Sequence, residues 1–404
     1  MQQRWALVAI LLVIQAVEGG IPYSFGLLID PMAAEFGVQR SQVLACLAIY
    51  GAASCFYGAF LGRFLDIAAP RTLLMVGGTA LAGGLLAMSV APNLLCVYLI
   101  FGILFPISLI FAGQLVAISL ITRAFTEQRG LAIGVALTGG SVGGAIIPNI
   151  VAAFIDHGWR TANLYLGLFA LIILLPFIFF AVKPGGAVAK QDRNSGGVGV
   201  KDVLGRRAFW ITIGCVLLLM AVSTSVQPNI APFASDLGIP PQQAALLITA
   251  FALSVIVGRL ISGYLTDRME LRRLWIIIAV GEICAVALLT HLPSLPRMAI
   301  GVALLGLGAG AATPAQAALF TRIFGPKVVG RVLGLAMPFY ALTPTAAMFA
   351  SWMKQRTGSY DPVLYAAMAA AGVSLFLVMT LRLAQPAAIP GSSTDILESD
   401  DPSK

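Results

Sequence analysis

Apolar residues run along this chain in long blocks separated by short polar segments. Blocks of about 20 apolar residues are long enough to cross the hydrocarbon core of a bilayer as helices. They fall at 5–29, 42–62, 72–91, 94–119, 130–154 and 162–182, then at 209–233, 242–265, 274–292, 297–320, 329–352 and 363–382. The first block has the look of a signal-peptide core, but it continues through Leu28 without a convincing cleavage site and reads as the first span. A polar, glycine-rich stretch separates the two sets and reads as a flexible linker. The pattern predicts an all-α membrane protein with 12 transmembrane helices. Its expected parts are an N-terminal six-helix half over 1–182, a cytoplasmic linker over 183–207, a C-terminal six-helix half over 208–383 and a disordered cytoplasmic tail over 384–404.

Composition gives the same solvent. Of 404 residues, 59% are hydrophobic and 10% charged, against roughly 25% charged in soluble domains. The mean hydropathy is +0.93. The net charge of +8 forms no single patch, which excludes a nucleic-acid partner, and its basic residues collect in alternate loops. Arg63, Arg71, Arg123, Arg129, Arg206, Arg207, Arg268, Arg272, Arg273, Arg322 and Lys327 fall on one side, while the other holds Arg40, Arg160, Arg297, Lys354 and Arg356. The positive-inside rule makes the first side cytoplasmic, with both termini on it, as expected of a multi-pass protein of the cell inner membrane. Cys46, Cys55, Cys96, Cys215 and Cys284 all lie in apolar runs and read as packing residues, not a disulfide framework.

The two halves repeat. Gly62, Asp66 and Arg71 recur as Gly263, Asp267 and Arg272 at one constant offset (263−62 = 267−66 = 272−71 = 201). Duplicated halves imply a pseudo-twofold axis along the membrane normal, with a substrate site between them near the midplane. This Gly-x3-Asp-x4-Arg loop resembles the signature loop of the major facilitator superfamily. The run "RGLAIGVALTGGSVGGAIIP" resembles that superfamily's small-residue-rich fifth helix, and "GWR" at Gly158, Trp159 and Arg160 is common there. The resemblance implies a major facilitator fold. It also implies that Asp66, Arg71, Asp267 and Arg272 serve as a conformational latch.

Three ionisable residues lie well inside spans: Glu18, Arg259 and Glu282. A charge at the bilayer centre costs at least ~2.5–3.5 kcal/mol, so such residues normally face a cavity or a partner. Arg259 has Gly58 as its repeat counterpart (259−201 = 58), so the cation is not part of the duplicated scaffold. Its planar, permanently charged fork suits a carboxylate, although pairing with a neighbouring helix or snorkelling to the surface is the alternative. Glu18, about halfway down the first span, is a candidate proton-coupling group that could pair with Arg259 when no anion is bound. Glu282, on a helix expected to be peripheral, carries no functional expectation.

"YSFGLLIDPMAAEFGVQRSQV" from Tyr23 and "GRLISGYLTDR" resemble bacterial monocarboxylate and oxalate/formate-type porters. In that group the arginine at the Arg259 position binds the substrate carboxylate. The oxalate carriers add a lysine in helix eleven; Tyr340 stands there, and no lysine occurs between Val329 and Trp352. This departure favours one carboxylate over two. Animal members place an aspartate one turn before the arginine, where this chain has Val255. The resemblance further implies that Tyr23, Gln114, Asn229, Thr313 and Tyr340 line the substrate cavity; for each, an interhelical hydrogen bond is the competing role.

No phosphate loop, nucleophile elbow or metal-ligand cluster is present in the sequence, so neither an enzyme nor a cofactor nor a metal site is expected. The expected function is secondary active transport of a small monocarboxylate anion, proton-coupled, by alternating access. The partners are then the substrate, a proton and the lipid bilayer, and a monomer is expected. A drug or metabolite exporter of the same fold and a transporter-like substrate sensor remain open alternatives.

Overall fold

The computed structural model of the chain describes residues 2–61, 68–125, 129–182, 203–266, 268–291, 293–324, 329–340 and 342–380. Most of the expected linker (183–202), the whole expected tail (384–404), and the loop residues Asp66 and Asp267 lie outside them. Every regular element among the described residues is helical. In chain order the first half contains α1 (Gln2–Phe36), α2 (Arg40–Leu61), α3 (Pro70–Ser89), α4 (Leu94–Ala112), α5 (Gln114–Ala124), α6 (Arg129–Phe154), α7 (Trp159–Phe169) and α8 (Leu175–Ala181). The second contains α9 (Arg207–Val226), α10 (Ile230–Asp236), α11 (Pro241–Thr266), α12 (Leu271–Leu288), α13 (Leu295–Phe324), α14 (Val329–Tyr340), α15 (Thr345–Thr357) and α16 (Asp361–Thr380).

The helices exceed the twelve apolar blocks in number because several blocks are interrupted. The fourth breaks at Gly113 between α4 and α5. The sixth passes through a π turn, Ala170–Leu174, between α7 and α8. The seventh tightens into a 3-10 turn, Gln227–Asn229, around Pro228. Among the described residues, 10 helical segments are long and apolar enough to span a membrane. The ninth and eleventh blocks complete the set as α12, which carries Arg272, Arg273 and Glu282, and as the α14–α15 pair, which is parted between Tyr340 and Thr345.

Ends and crossings have local causes. Asn93 caps α4 by accepting a hydrogen bond from the Cys96 amide at 3.0 Å. Close crossings use glycine. A methyl at Gly143 of α6 would stand 1.7 Å from the Ala16 carbonyl oxygen of α1, so these two backbones touch. In the second half, a methyl at Gly310 of α13 would stand 2.1 Å from the Val255 carbonyl oxygen of α11.

The repeat is visible in side-chain contacts. The Arg71 guanidinium, at the start of α3, lies 3.6 Å above the Phe179 ring of α8. Arg272, at the start of α12, donates to the Met379 carbonyl near the end of α16. The partners keep the spacing of the duplication (272−71 = 201, 379−179 = 200). Both arginines of the expected latch thus hold contacts inside their own halves.

The halves meet along two main seams, α6 against α11 and α2 against α15, with α1 also touching α10. At the end of the bundle where α1, α10 and α15 terminate, charges cross from one half to the other. Arg40 holds Asp30 through Nε at 2.6 Å and Nη2 at 3.0 Å, and Asp236 of the second half through Nη1 at 2.9 Å. Asp236 in turn binds Lys354 at 3.0 Å, and Ser41 donates to Gln355 at 3.1 Å beside them. This end is therefore closed. Replacing Asp236→Asn removes the ionic bond that joins Arg40 to the second half, worth up to about 1 kcal/mol, a roughly five-fold change in a two-state population. Spin labels at Ala34→Cys and Gln242→Cys, in protein with its own cysteines replaced, are expected to show a new longer separation in that variant; an unchanged distance distribution counts against it.

Candidate functional site

Arg259 sits about two turns before the end of α11, one helix of the α6–α11 seam. Its side chain reaches across that seam, where Nη1 donates to the Leu137 carbonyl of α6 at 3.3 Å. Its Nε is buried without a hydrogen-bond partner. No ion pair to Arg259 occurs among the described residues. The ionisable side chain beside it is Tyr23 of α1. A guanidinium fork with five donors is thus turned to the boundary between the halves with an unused N–H and no counter-charge.

Tyr23 belongs to the same cluster. Its hydroxyl pairs with the Ser141 side chain of α6, one turn along α6 from Leu137. Its ring packs over Gly144, where an added methyl would meet it at 2.8 Å, and its centroid lies 6.2 Å from that of Phe251 of α11. Farther along the seam, the Asn149 amide donates to Thr249 Oγ1 at 2.7 Å, and Thr249 donates to the Ala145 carbonyl at 3.0 Å. Ser141, Phe251 and Thr249 carried no sequence signal beyond general helix packing, because their role depends on how two distant helices cross.

The remaining expected lining residues divide. Asn229 is buried; its amide donates to the carbonyls of Ser225 at 2.8 Å and Ala347 at 3.2 Å, which ties the seventh block to the eleventh, while its Oδ1 has no partner. The neighbouring turn packs on α1, since a methyl at Gly26 would stand 2.7 Å from the Pro228 carbonyl oxygen. Tyr340 accepts a hydrogen bond from Gln316 and so joins α14 to α13. Gln114 and Thr313 are exposed; no described contact joins either of them to Arg259.

Glu18 lies apart from this cluster. It lines a cavity of about 40 Å³ inside the first half, with Pro22, Phe25, Tyr50, Phe101 and Ser108. The pairing of Glu18 with Arg259 expected from their similar depth is not formed. The five steps from Glu18 to Tyr23 turn the helix by about 140°, so that Tyr23 faces α6 and α11 while Glu18 faces α2 and α4. Depth along a helix is readable from rise, but a shared face also requires the right rotation. Glu282 is completely buried in the second half, with one oxygen accepting from Ser223 at 3.3 Å and the other unpartnered. It does not reach the seam that holds Arg259.

Two helical halves pressed together along two seams, with an uncompensated cation at one of them, define a membrane transporter rather than a catalyst. The sequence profile of the Major Facilitator Superfamily matches residues 9–228 and 213–397, and the chain belongs to that family. Human monocarboxylate transporter 11 is 29% identical over 277 residues, covering 65% of this chain and 56% of that protein. Zebrafish (Danio rerio) monocarboxylate transporter 12-B is 26% identical over 374 residues, covering 81% of this chain and 76% of that protein. The uncharacterized MFS-type transporter YcxA of Bacillus subtilis is 24% identical over 345 residues, covering 81% and 82%. Among solved structures, a mutant of the nucleoside transporter NupG superposes with a TM-score of 0.79 at 13% identity, covering 93% of this chain and 99% of that one. A bacterial homolog of the human lysosomal transporter Spinster, inward-facing and unoccupied, gives 0.69 at 16% identity, covering 93% and 95%. These structures share the fold.

Proposed function

We propose that this protein carries a small monocarboxylate anion across the membrane by alternating access, with the substrate carboxylate on Arg259 and with proton coupling through Glu18. The observation that carries the reading is the state of Arg259: a permanent cation at the seam between the halves, with a buried Nε lacking any partner and no ion pair among the described residues. A carboxylate supplies the missing acceptor and the missing charge together. It also bridges α11 to α1 and α6, because Tyr23 with its hydroxyl stands beside the same guanidinium. The relatives named as monocarboxylate transporters support the same substrate class.

Glu18 then acts at a distance from the anion. It faces its own small cavity with Tyr50 and Ser108, on the α1 helix that carries Tyr23 on another face. Substrate bound at Tyr23 and Arg259 moves α1 together with α6, to which it is locked by backbone contact. That movement changes the surroundings of Glu18, so one proton accompanies one anion without net charge movement.

Counterflow in proteoliposomes with a panel of carboxylates, under an imposed pH gradient, tests both parts. Saturable exchange of at least one monocarboxylate and accumulation driven by the gradient are expected. Glu18→Gln is expected to retain exchange and lose gradient-driven accumulation; undiminished accumulation in that variant removes the proton role and leaves the anion site standing.

A further inference from the structure

The end of the bundle closed by Arg40 and its partners carries a notch of about 430 Å³ between α2, the start of α4 and α15, lined by Ser41, Ala45, Tyr98, Met348, Phe349 and Trp352. Because the halves are joined at this end, exposed apolar side chains there face outward. Phe349 is 46% and Trp352 38% exposed, and Leu95, Leu99 and Ile103 of α4 form an exposed stripe beside them. In a bilayer that surface meets acyl chains. Tyrosine and tryptophan mark the level of the headgroups, and Tyr98 and Trp352 both stand in this notch.

One turn beyond Trp352 lies Arg356, exposed, with its guanidinium 4.8 Å from the centre of the Trp352 ring. No acid pairs with Arg356 among the described residues. Four acids of this end are occupied elsewhere: Asp30 by Arg40, Asp236 by Arg40 and Lys354, Glu35 by Arg160, and Asp361 by His291. The notch therefore combines an apolar cleft that fits a chain with an unpaired planar cation at its rim, at the depth of the phosphates.

We propose that this notch is a binding site for one anionic phospholipid of the adjacent leaflet, its acyl chain against Met348 and Phe349 and its phosphate on Arg356. The fork geometry of arginine matches a phosphate, and an unpaired cation at the surface favours a net-negative headgroup over a zwitterionic one by about five-fold. The site spans α2 and α15, one from each half, so an occupied notch holds together the seam that must part when this end opens. It stands independently of the substrate carried at Arg259.

The test uses the full chain in vesicles of phosphatidylcholine doped with either brominated phosphatidylglycerol or brominated phosphatidylcholine, and reads tryptophan quenching. The contribution of Trp352 is isolated by subtracting a Trp352→Phe protein. Phosphatidylglycerol is expected to quench that contribution about five times as effectively as phosphatidylcholine at equal mole fraction. Arg356→Lys is expected to keep most of the preference and Arg356→Gln to abolish it. Equal quenching by the two lipids, a preference that survives Arg356→Gln, or a Trp352 contribution that neither lipid quenches would each overturn the proposal.

Discussion

Arg259→Gln is expected to abolish monocarboxylate counterflow while leaving the protein folded in the membrane. Taking one partner from a buried ion pair costs about 3–5 kcal/mol, which corresponds to more than a hundred-fold loss of apparent affinity. The fold tolerates the change because, among the described residues, the side chain makes no ion pair and one neutral hydrogen bond, to the Leu137 carbonyl. Arg259→Lys keeps the charge but not the planar fork, and a partial loss of roughly ten-fold is expected from exchanging a two-bond contact for one. The readout is counterflow of the same acid in proteoliposomes, with elution as a monodisperse peak as the folding control. Full activity of Arg259→Gln would remove the carboxylate reading and favour the drug or metabolite exporter of the same fold.

The second large effect concerns the crossing of α1 and α6. Gly143→Ala places a methyl 1.7 Å from the Ala16 carbonyl oxygen, a backbone atom that no rotamer change can move. Overpacking a tight interior costs about 1–3 kcal/mol when side chains can yield; here the helices themselves must separate, so the upper end or more is expected. The variant should lose several degrees of thermal stability and most of its transport. The same change at Gly134 of α6, where no atom lies within 4 Å of the added methyl, should be silent. Equal melting temperatures for the two variants would mean that the crossing is looser than described.

Much of the architecture was readable in the chain. Apolar block lengths gave the spans, and the constant 201-residue offset gave the two halves. Hydropathy has no knowledge of backbone dihedrals, however, so the break at Gly113, the π turn at Ala170–Leu174 and the parting of α14 from α15 lay hidden inside apolar runs. For the site, sequence singled out Arg259 and Tyr23, and the structure brings them together. It could not supply Leu137 and Phe251, which meet Arg259 and Tyr23 only through the docking of one half on the other, nor Ser141, which meets Tyr23 through the crossing of α1 and α6. The charges at the closed end escaped for a related reason. Arg40 and Lys354 read singly as basic residues of the loops, Asp30 and Asp236 carried no reading, and their sum becomes meaningful only when residues 196 positions apart, Arg40 and Asp236, touch.

The order of those four charges has a consequence for turnover. Asp30–Arg40 belongs wholly to the first half and Asp236–Lys354 wholly to the second, so among the described residues the single ionic bond that crosses is the one between Arg40 and Asp236. When the halves swing apart, each departs as a self-neutral couple and neither strands a bare ion. A partly exposed pair of this kind is worth up to about 1 kcal/mol, comparable to thermal energy. The fastening should behave as a clasp whose two sides stay buttoned when released, permitting rapid cycling without the deep trap that an unshared ion pair would set.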